Sequence, residues 1–212
     1  MKKCLVKLVV LFFFTMVTVS QAGMPALGVK CGLAIANQEY NFPHLSKYGS
    51  TYLTGLAAGA FGEFFADKPI SLVAELDYIQ KGIKEEYTYI AASSQQGSGV
   101  LSDTYRFHYL SIPLFIKYTW RKPAVAPYIL LGFRFDYLFS RPSDTDIHNK
   151  IYSDFKNYDF GGSFGLGGEY KMSSKYKVLL EGRYSPAASY AYKDDTLKVN
   201  NCMFEILAGV QF

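Results

Sequence analysis

From residue 26 onward, apolar and polar side chains alternate with a period of two in one segment after another, with turn-forming residues between the segments. A period of two is the repeat of a β-strand with two unlike faces. In the first segment, residues 26–37, Leu27, Val29, Cys31, Leu33 and Ile35 share one face, while Gly28, Lys30, Gly32 and Ala34 share the other. The same pattern predicts strands over residues 51–65, 70–82, 104–120, 127–139, 158–170, 176–185 and 201–212. The fifth is the clearest: Ile129, Leu131, Phe133, Phe135 and Tyr137 alternate with Tyr128, Leu130, Gly132, Arg134 and Asp136. Each segment is as long as the roughly 9–11 tilted residues that cross a bilayer, whereas strands of soluble domains are usually nearer 5 or 6.

The connections alternate in length. Residues 66–69, 121–126 and 171–175 make short links, while 38–50, the segment around 93–102, 140–157 and 186–200 are longer and polar. This order predicts an all-β fold: an eight-stranded antiparallel up-and-down transmembrane β-barrel with short periplasmic turns and long outer loops. The third and fourth strands can continue past the membrane as a hairpin through residues 85–90 and 101–105, with its tip at 93–99. Such a hairpin offers free edges to a partner strand; a mobile outer loop is the plainer reading. Pro113, inside the fourth strand, predicts a bulge or a local gap in the ladder facing the lumen, with a gating hinge as the other reading.

Alternation alone also fits a soluble lipocalin-like barrel with its apolar face inward. Three features favour the membrane. Tyr118, Trp120, Tyr128, Tyr170, Tyr176 and Phe212 gather at strand ends beside the short turns, and Tyr78, Tyr137 and Tyr184 lie near the opposite ends, as two aromatic girdles would. Opposite the apolar stripe lie Lys30, Glu63, Glu75, Lys117, Arg134, Asp136, Glu169, Glu181, Arg183 and Glu205, interspersed with Gly59, Gly132, Gly161, Gly165, Gly167 and Gly209. Glycines make room for long side chains in a narrow lumen, and buried charges of mixed sign can pair there. These ten residues are the candidate lumenal charge network, structural in role. Finally, the terminal strand alternates to the last residue and ends on Phe212, resembling the signal read by the outer-membrane assembly machinery.

The first 22 residues have a different pattern. Lys2 and Lys3 precede a nearly unbroken apolar run from Leu5 to Val19, and Ser20-Gln21-Ala22 supplies a small-x-small site. This is the pattern of a cleaved Sec signal peptide over residues 1–22, with the barrel over 23–212; a retained anchor would need a run of about 20 apolar residues. The formal net charge is +4, but Lys2, Lys3 and Lys7 leave with the leader, so the basic balance gives no reason to expect a nucleic-acid partner. Aromatic residues make up 17% of the chain and charged residues 19%, richer in rings and poorer in charge than an ordinary soluble domain. Cys31 and Cys202 could pair in an exported protein, but their spacing does not decide it.

The whole of residues 23–212 resembles the PorT-like family of outer-membrane barrels common in Bacteroidetes. The residues that carry the likeness are Gly28-Val29-Lys30-Cys31-Gly32-Leu33, Leu76-Asp77-Tyr78-Ile79-Gln80-Lys81-Gly82, Tyr109-Leu110-Ser111-Ile112-Pro113-Leu114, Pro127-Tyr128-Ile129-Leu130-Leu131-Gly132, Phe164-Gly165-Leu166-Gly167-Gly168-Glu169-Tyr170 and the closing Phe212. The resemblance implies the barrel architecture and, as one role, participation in type IX protein secretion, as for the namesake.

Candidate chemistry is thin. Gly161 to Gly168 looks like a phosphate loop, but no helix signal follows to receive a phosphate. His44 and His148 lie in long loops, the latter near Asp144 and Asp146, and His108 shares parity with the outward Leu110 and Ile112. No two strands bring a nucleophile, a histidine and an acid together. The sequence therefore predicts no catalytic residue, cofactor or metal. The expectation is a non-enzymatic integral outer-membrane barrel with a structural or interaction role. Its expected partners are outer-membrane lipid, the assembly machinery and other secretion or surface proteins. A rim-active enzyme on lipid or surface protein, and a narrow solute pore, are the alternatives.

Overall fold

The computed structural model describes residues 24–41, 51–89, 99–120, 125–141, 156–193 and 198–212. The leader, His44, Asp144, Asp146, His148 and residues 93–98 of the hairpin tip lie outside the described residues. Eight long strands form: β1 (Ala26–Asn41), β2 (Thr51–Phe64), β3 (Ile70–Tyr89), β4 (Gly99–Thr119), β5 (Val125–Ser140), β6 (Tyr158–Lys171), β7 (Lys177–Pro186) and β9 (Lys198–Gln211). A two-residue strand, β8 (Tyr192–Lys193), lies between the last two. Every long strand is antiparallel to its neighbours, and β1 pairs with β9 from Gly28–Gln211 to Asn41–Lys198, which closes the sheet. The fold is thus the predicted eight-stranded barrel. Closure leaves no long edge along the wall, the condition for a sheet to sit in hydrocarbon.

Alternation sets the two surfaces. Leu33, Leu72, Ile116, Leu131, Phe164, Leu180 and Ile206 point outward, and each is about half exposed. Charged and polar partners on the same strands point inward and are buried. Tyr118 and Trp120 meet edge to face at the short-turn end, with ring centroids 4.8 Å apart. Tyr128 departs from the expected girdle. It faces inward and is 2% exposed, because it shares parity with Leu130 and not with the outward Ile129.

Local irregularities have identifiable causes. The β3–β4 ladder pairs Ala74 with Leu114 and then Asp77 with Ser111, in the same register on both sides. The interval spans Pro113, which has no N–H to donate, so the irregularity is a gap and not a bulge. Between β2 and β3 the register does shift, from Tyr52–Ile83 to Ala57–Ile79. There the Gln80 side chain accepts from the Leu56 N–H at 3.1 Å, and Arg106 donates to the Thr54 carbonyl at 3.1 Å. Side chains thus take over where the ladder slips. In the β2–β3 turn Phe65 adopts a positive φ of 60°, and the Lys68 N–H closes the turn onto the Phe65 carbonyl at 2.8 Å.

At the other end of the barrel β7 stops at Pro186, short of its neighbours, and the chain fills the gap itself. Ala188 and Ser189 donate to the Phe160 carbonyl of β6, while Ala187 and Ala191 donate to the Asn201 and Val199 carbonyls of β9. The β3–β4 pair extends furthest, its ladder running on to Tyr89–Gly99. The last described rung of β3 with β2 is Lys84–Thr51, and that of β4 with β5 is His108–Ser140. Beyond those rungs β3 and β4 continue as a pair. Cys31 and Cys202 form no disulfide; their β-partners, Ala208 and Asn37, place them six rungs apart along the β1–β9 seam.

Candidate functional site

The ten predicted lumenal residues all lie inside the barrel, none more than 6% exposed. They do not form one network but sit in successive layers. Nearest the short turns, Lys117 of β4 bridges Glu63 of β2 at 3.0 Å and Glu169 of β6. Glu63 also accepts from the Ser71 hydroxyl at 2.6 Å and the Gln211 amide at 2.8 Å, and Lys177 reaches the other Glu169 oxygen at 3.0 Å.

One layer further in, Arg183 of β7 pairs with Glu75 at 2.8 Å and with Glu181, and Lys30 of β1 contacts Glu75 at 2.7 Å. The Tyr128 hydroxyl donates to Glu181 at 2.8 Å. Inward Tyr128 requires Gly167 beside it, since a Cβ there would overlap the phenol ring. Gly59 makes room for the Asp77 carboxylate in the same way. Apolar rings are interleaved with these charges: the Arg183 guanidinium lies 4.6 Å from the Phe115 ring centroid and Lys30 4.9 Å from that of Phe61.

A third cluster lies toward the long-loop end. Asp136 receives Lys81, the Ser111 hydroxyl at 2.5 Å and Arg134 at 3.1 Å. Asp159 lies 3.6 Å from Lys81 and accepts from Asn201 at 2.9 Å and Ser189 at 2.5 Å. Arg134 is held less firmly than Arg183: among the described residues none of its guanidinium nitrogens makes an aligned hydrogen bond. Glu205 is buried beside these groups without an ion pair among the described residues.

Above this cluster the interior turns apolar. Ile83, Tyr105, Phe107, Tyr109, Leu138, Ala191 and Val199 pack together, with Tyr192 against them. This plug was not anticipated, although Tyr105, Phe107 and Tyr109 share parity with the lumenal Ser111, so the signal was in the sequence. Asp77 and Lys81 were likewise readable from the parity of Glu75, and Asp159 from that of Gly161. Ser189 and Ala191 could not be found by strand parity, because they lie on the segment that fills the gap after β7.

The cavity bounded by Lys30, Glu75, Lys117, Tyr128 and Glu181 measures about 10 Å³, on the scale of one water molecule. Outside the barrel, His108 bonds through Nδ1 to the Tyr78 hydroxyl at 2.7 Å and lies near Phe139. Among the described residues its ring neighbours are Tyr78 and Phe139. Among the described residues no group of three or more His, Cys, Asp or Glu side chains is placed to hold a metal.

Comparison with known proteins agrees with this architecture. No curated protein matches the chain. OprG from Pseudomonas aeruginosa superposes with a TM-score of 0.50 at 14% identity, over 89% of this chain and 96% of that one. Neisserial surface protein A gives 0.47 at 19% identity, over 87% and 95%. Ail of Yersinia pestis gives 0.38 at 15%, over 89% and 99%. The family profile described as outer membrane protein beta-barrel domain matches residues 14–188. The chain is an integral outer-membrane barrel and belongs to the outer membrane protein beta-barrel domain family.

Proposed function

We propose that this barrel is a non-enzymatic interaction protein of the PorT-like type, serving a secretion or surface assembly through its β3–β4 ribbon. The observation that carries the reading is the β3–β4 ladder, which continues to Tyr89–Gly99, past the last described rungs with β2 and β5. An extended partner segment can add to the edge of a projecting strand pair through main-chain hydrogen bonds. The rest of the molecule supports a scaffold role. Its lumen is filled by ion pairs and an apolar plug, and a filled eight-stranded barrel holds its ribbon rigidly at the membrane surface.

The test is site-specific photo-crosslinking in cells. Probes at Tyr87 and Leu101, on the ribbon strands, are compared with a probe at Leu131 on the lipid-facing wall. The expected result is a discrete protein adduct from the ribbon only, lost when Thr88→Pro interrupts the strand. Retention of the same adduct after residues 86–102 are replaced by a tight turn would exclude the ribbon as the docking element. Turnover of lipid or protein substrates by the purified barrel would favour a rim-active enzyme instead.

A further inference from the structure

We infer that the wall between β6 and β7 carries a binding site for an anionic glycerophospholipid of the periplasmic leaflet. The site begins with two glycines that the barrel itself does not need. At lumen-facing glycines such as Gly59 and Gly167 a Cβ would collide with a neighbour. At the outward Gly168 and Gly182 the nearest atoms to an added Cβ would be Val125 at 3.5 Å and Phe204 at 3.7 Å, ordinary contacts. Neither has a positive φ. Glycine weakens a strand and often marks a place where something else approaches the backbone closely.

What the two glycines create is a groove. It measures about 620 Å³, is open to the outside and is walled by Leu166, Tyr170, Val178, Leu180 and Ile206. That volume lies within the roughly 300–1,000 Å³ of small-molecule sites. The lining is almost wholly apolar, and Leu166, Leu180 and Ile206 belong to the outward face that meets hydrocarbon. An acyl chain is therefore the occupant its walls fit.

The headgroup is identified by charge. The groove ends at the rung pairing Tyr170 with Val178, and the next rung is Lys171 with Lys177. Lys171 and Lys175 are exposed at this turn and make no ion pair among the described residues, whereas Lys177 is held by Glu169. Short turns face the periplasm in barrels of this kind, so the lysines stand at the headgroup level of the inner leaflet. In the β2–β3 turn Lys68 and Asp67 offset each other, so Lys171 and Lys175 set the charge beside the groove. An apolar groove capped by unpaired ammonium groups matches a phosphate-bearing anionic lipid. Lipopolysaccharide, which belongs to the opposite leaflet, would meet the long-loop end instead.

The full chain, reconstituted in nanodiscs of phosphatidylcholine with one-fifth phosphatidylglycerol, should retain phosphatidylglycerol in native mass spectra well above its bulk fraction. Gly168→Leu and Gly182→Leu put apolar bulk into the groove from outward positions where an added Cβ makes only ordinary contacts, so the barrel should still fold and shift on heating in gels. Each should cut retention about tenfold, and Lys171→Gln with Lys175→Gln should abolish the preference for phosphatidylglycerol over phosphatidylcholine. Equal retention of the two lipids by the unaltered protein, or retention unchanged by both leucine variants, would overturn the assignment. So would preferential retention of lipopolysaccharide in a mixed bilayer.

Discussion

The two ends of the barrel interior are filled by different physics. Toward the short turns, Lys117, Lys30 and Arg183 are locked to Glu63, Glu169, Glu75 and Glu181. Toward the long loops, Ile83, Phe107, Leu138 and Val199 close the bore by apolar contact. An ion pair is directional and accepts few partners, so the first arrangement fixes which strands face each other across the lumen. Apolar burial is non-directional, so the second can take in an irregular segment such as the one bearing Ala191. One end specifies the barrel and the other seals it.

The sharpest test of that contrast is Arg183→Met. It leaves Glu75 and Glu181 buried with Lys30 as their remaining ion-pair partner among the described residues, and breaking a buried pair costs about 3–5 kcal/mol. The refolded barrel should lose stability by that order in urea titration, or fail to close. A silent substitution would mean that the lumen is wet enough to solvate the carboxylates. In the plug, Leu138→Ala should cost about 2–4 kcal/mol through lost burial and a cavity. Planar-bilayer recording should then show brief openings in the variant and no steady conductance in the parent. Porin-sized currents from the parent would show that the apolar layer does not seal.

Arg134→Met should have a smaller effect than Arg183→Met, below about 2 kcal/mol, because Asp136 keeps Lys81 and Ser111. Equal losses at the two arginines, measured by the same urea titration, would merge the layers into one network. Smallest of all, Leu131→Ile on the lipid face should move the midpoint by no more than about 0.5 kcal/mol.

Strand parity carried most of this in the sequence. It placed Lys30, Glu75, Lys117 and Arg183 in the lumen because a residue two positions from an inward one is also inward, whatever its neighbours do. Tyr128 follows its own parity inward; only its place near a strand end suggested the girdle. Tyr105 and Phe107 were overlooked because apolar side chains were equated with lipid, although a narrow bore can be closed by rings as well as by charges. Pairing within the lumen was not legible at all. Which carboxylate meets which ammonium depends on the stagger between strands, and that stagger shifts at Tyr52–Ala57 and at His108–Tyr109.

The β1–β9 seam has a consequence for the order of events in folding. It joins Lys30 to Gly209 and Leu33 to Ile206, contacts between opposite ends of the chain. Such pairings are slow to form because the whole intervening loop must first be brought round. The cluster of Lys30, Glu75, Glu181 and Arg183 draws on β1, β3 and β7, so its charges meet only as the sheet curls shut. Until then an open sheet would carry two bare edges and unmatched ions into hydrocarbon, and neither can be solvated there. Half-finished states are thereby expelled from the bilayer, and insertion becomes a single concerted step that waits for the last strand.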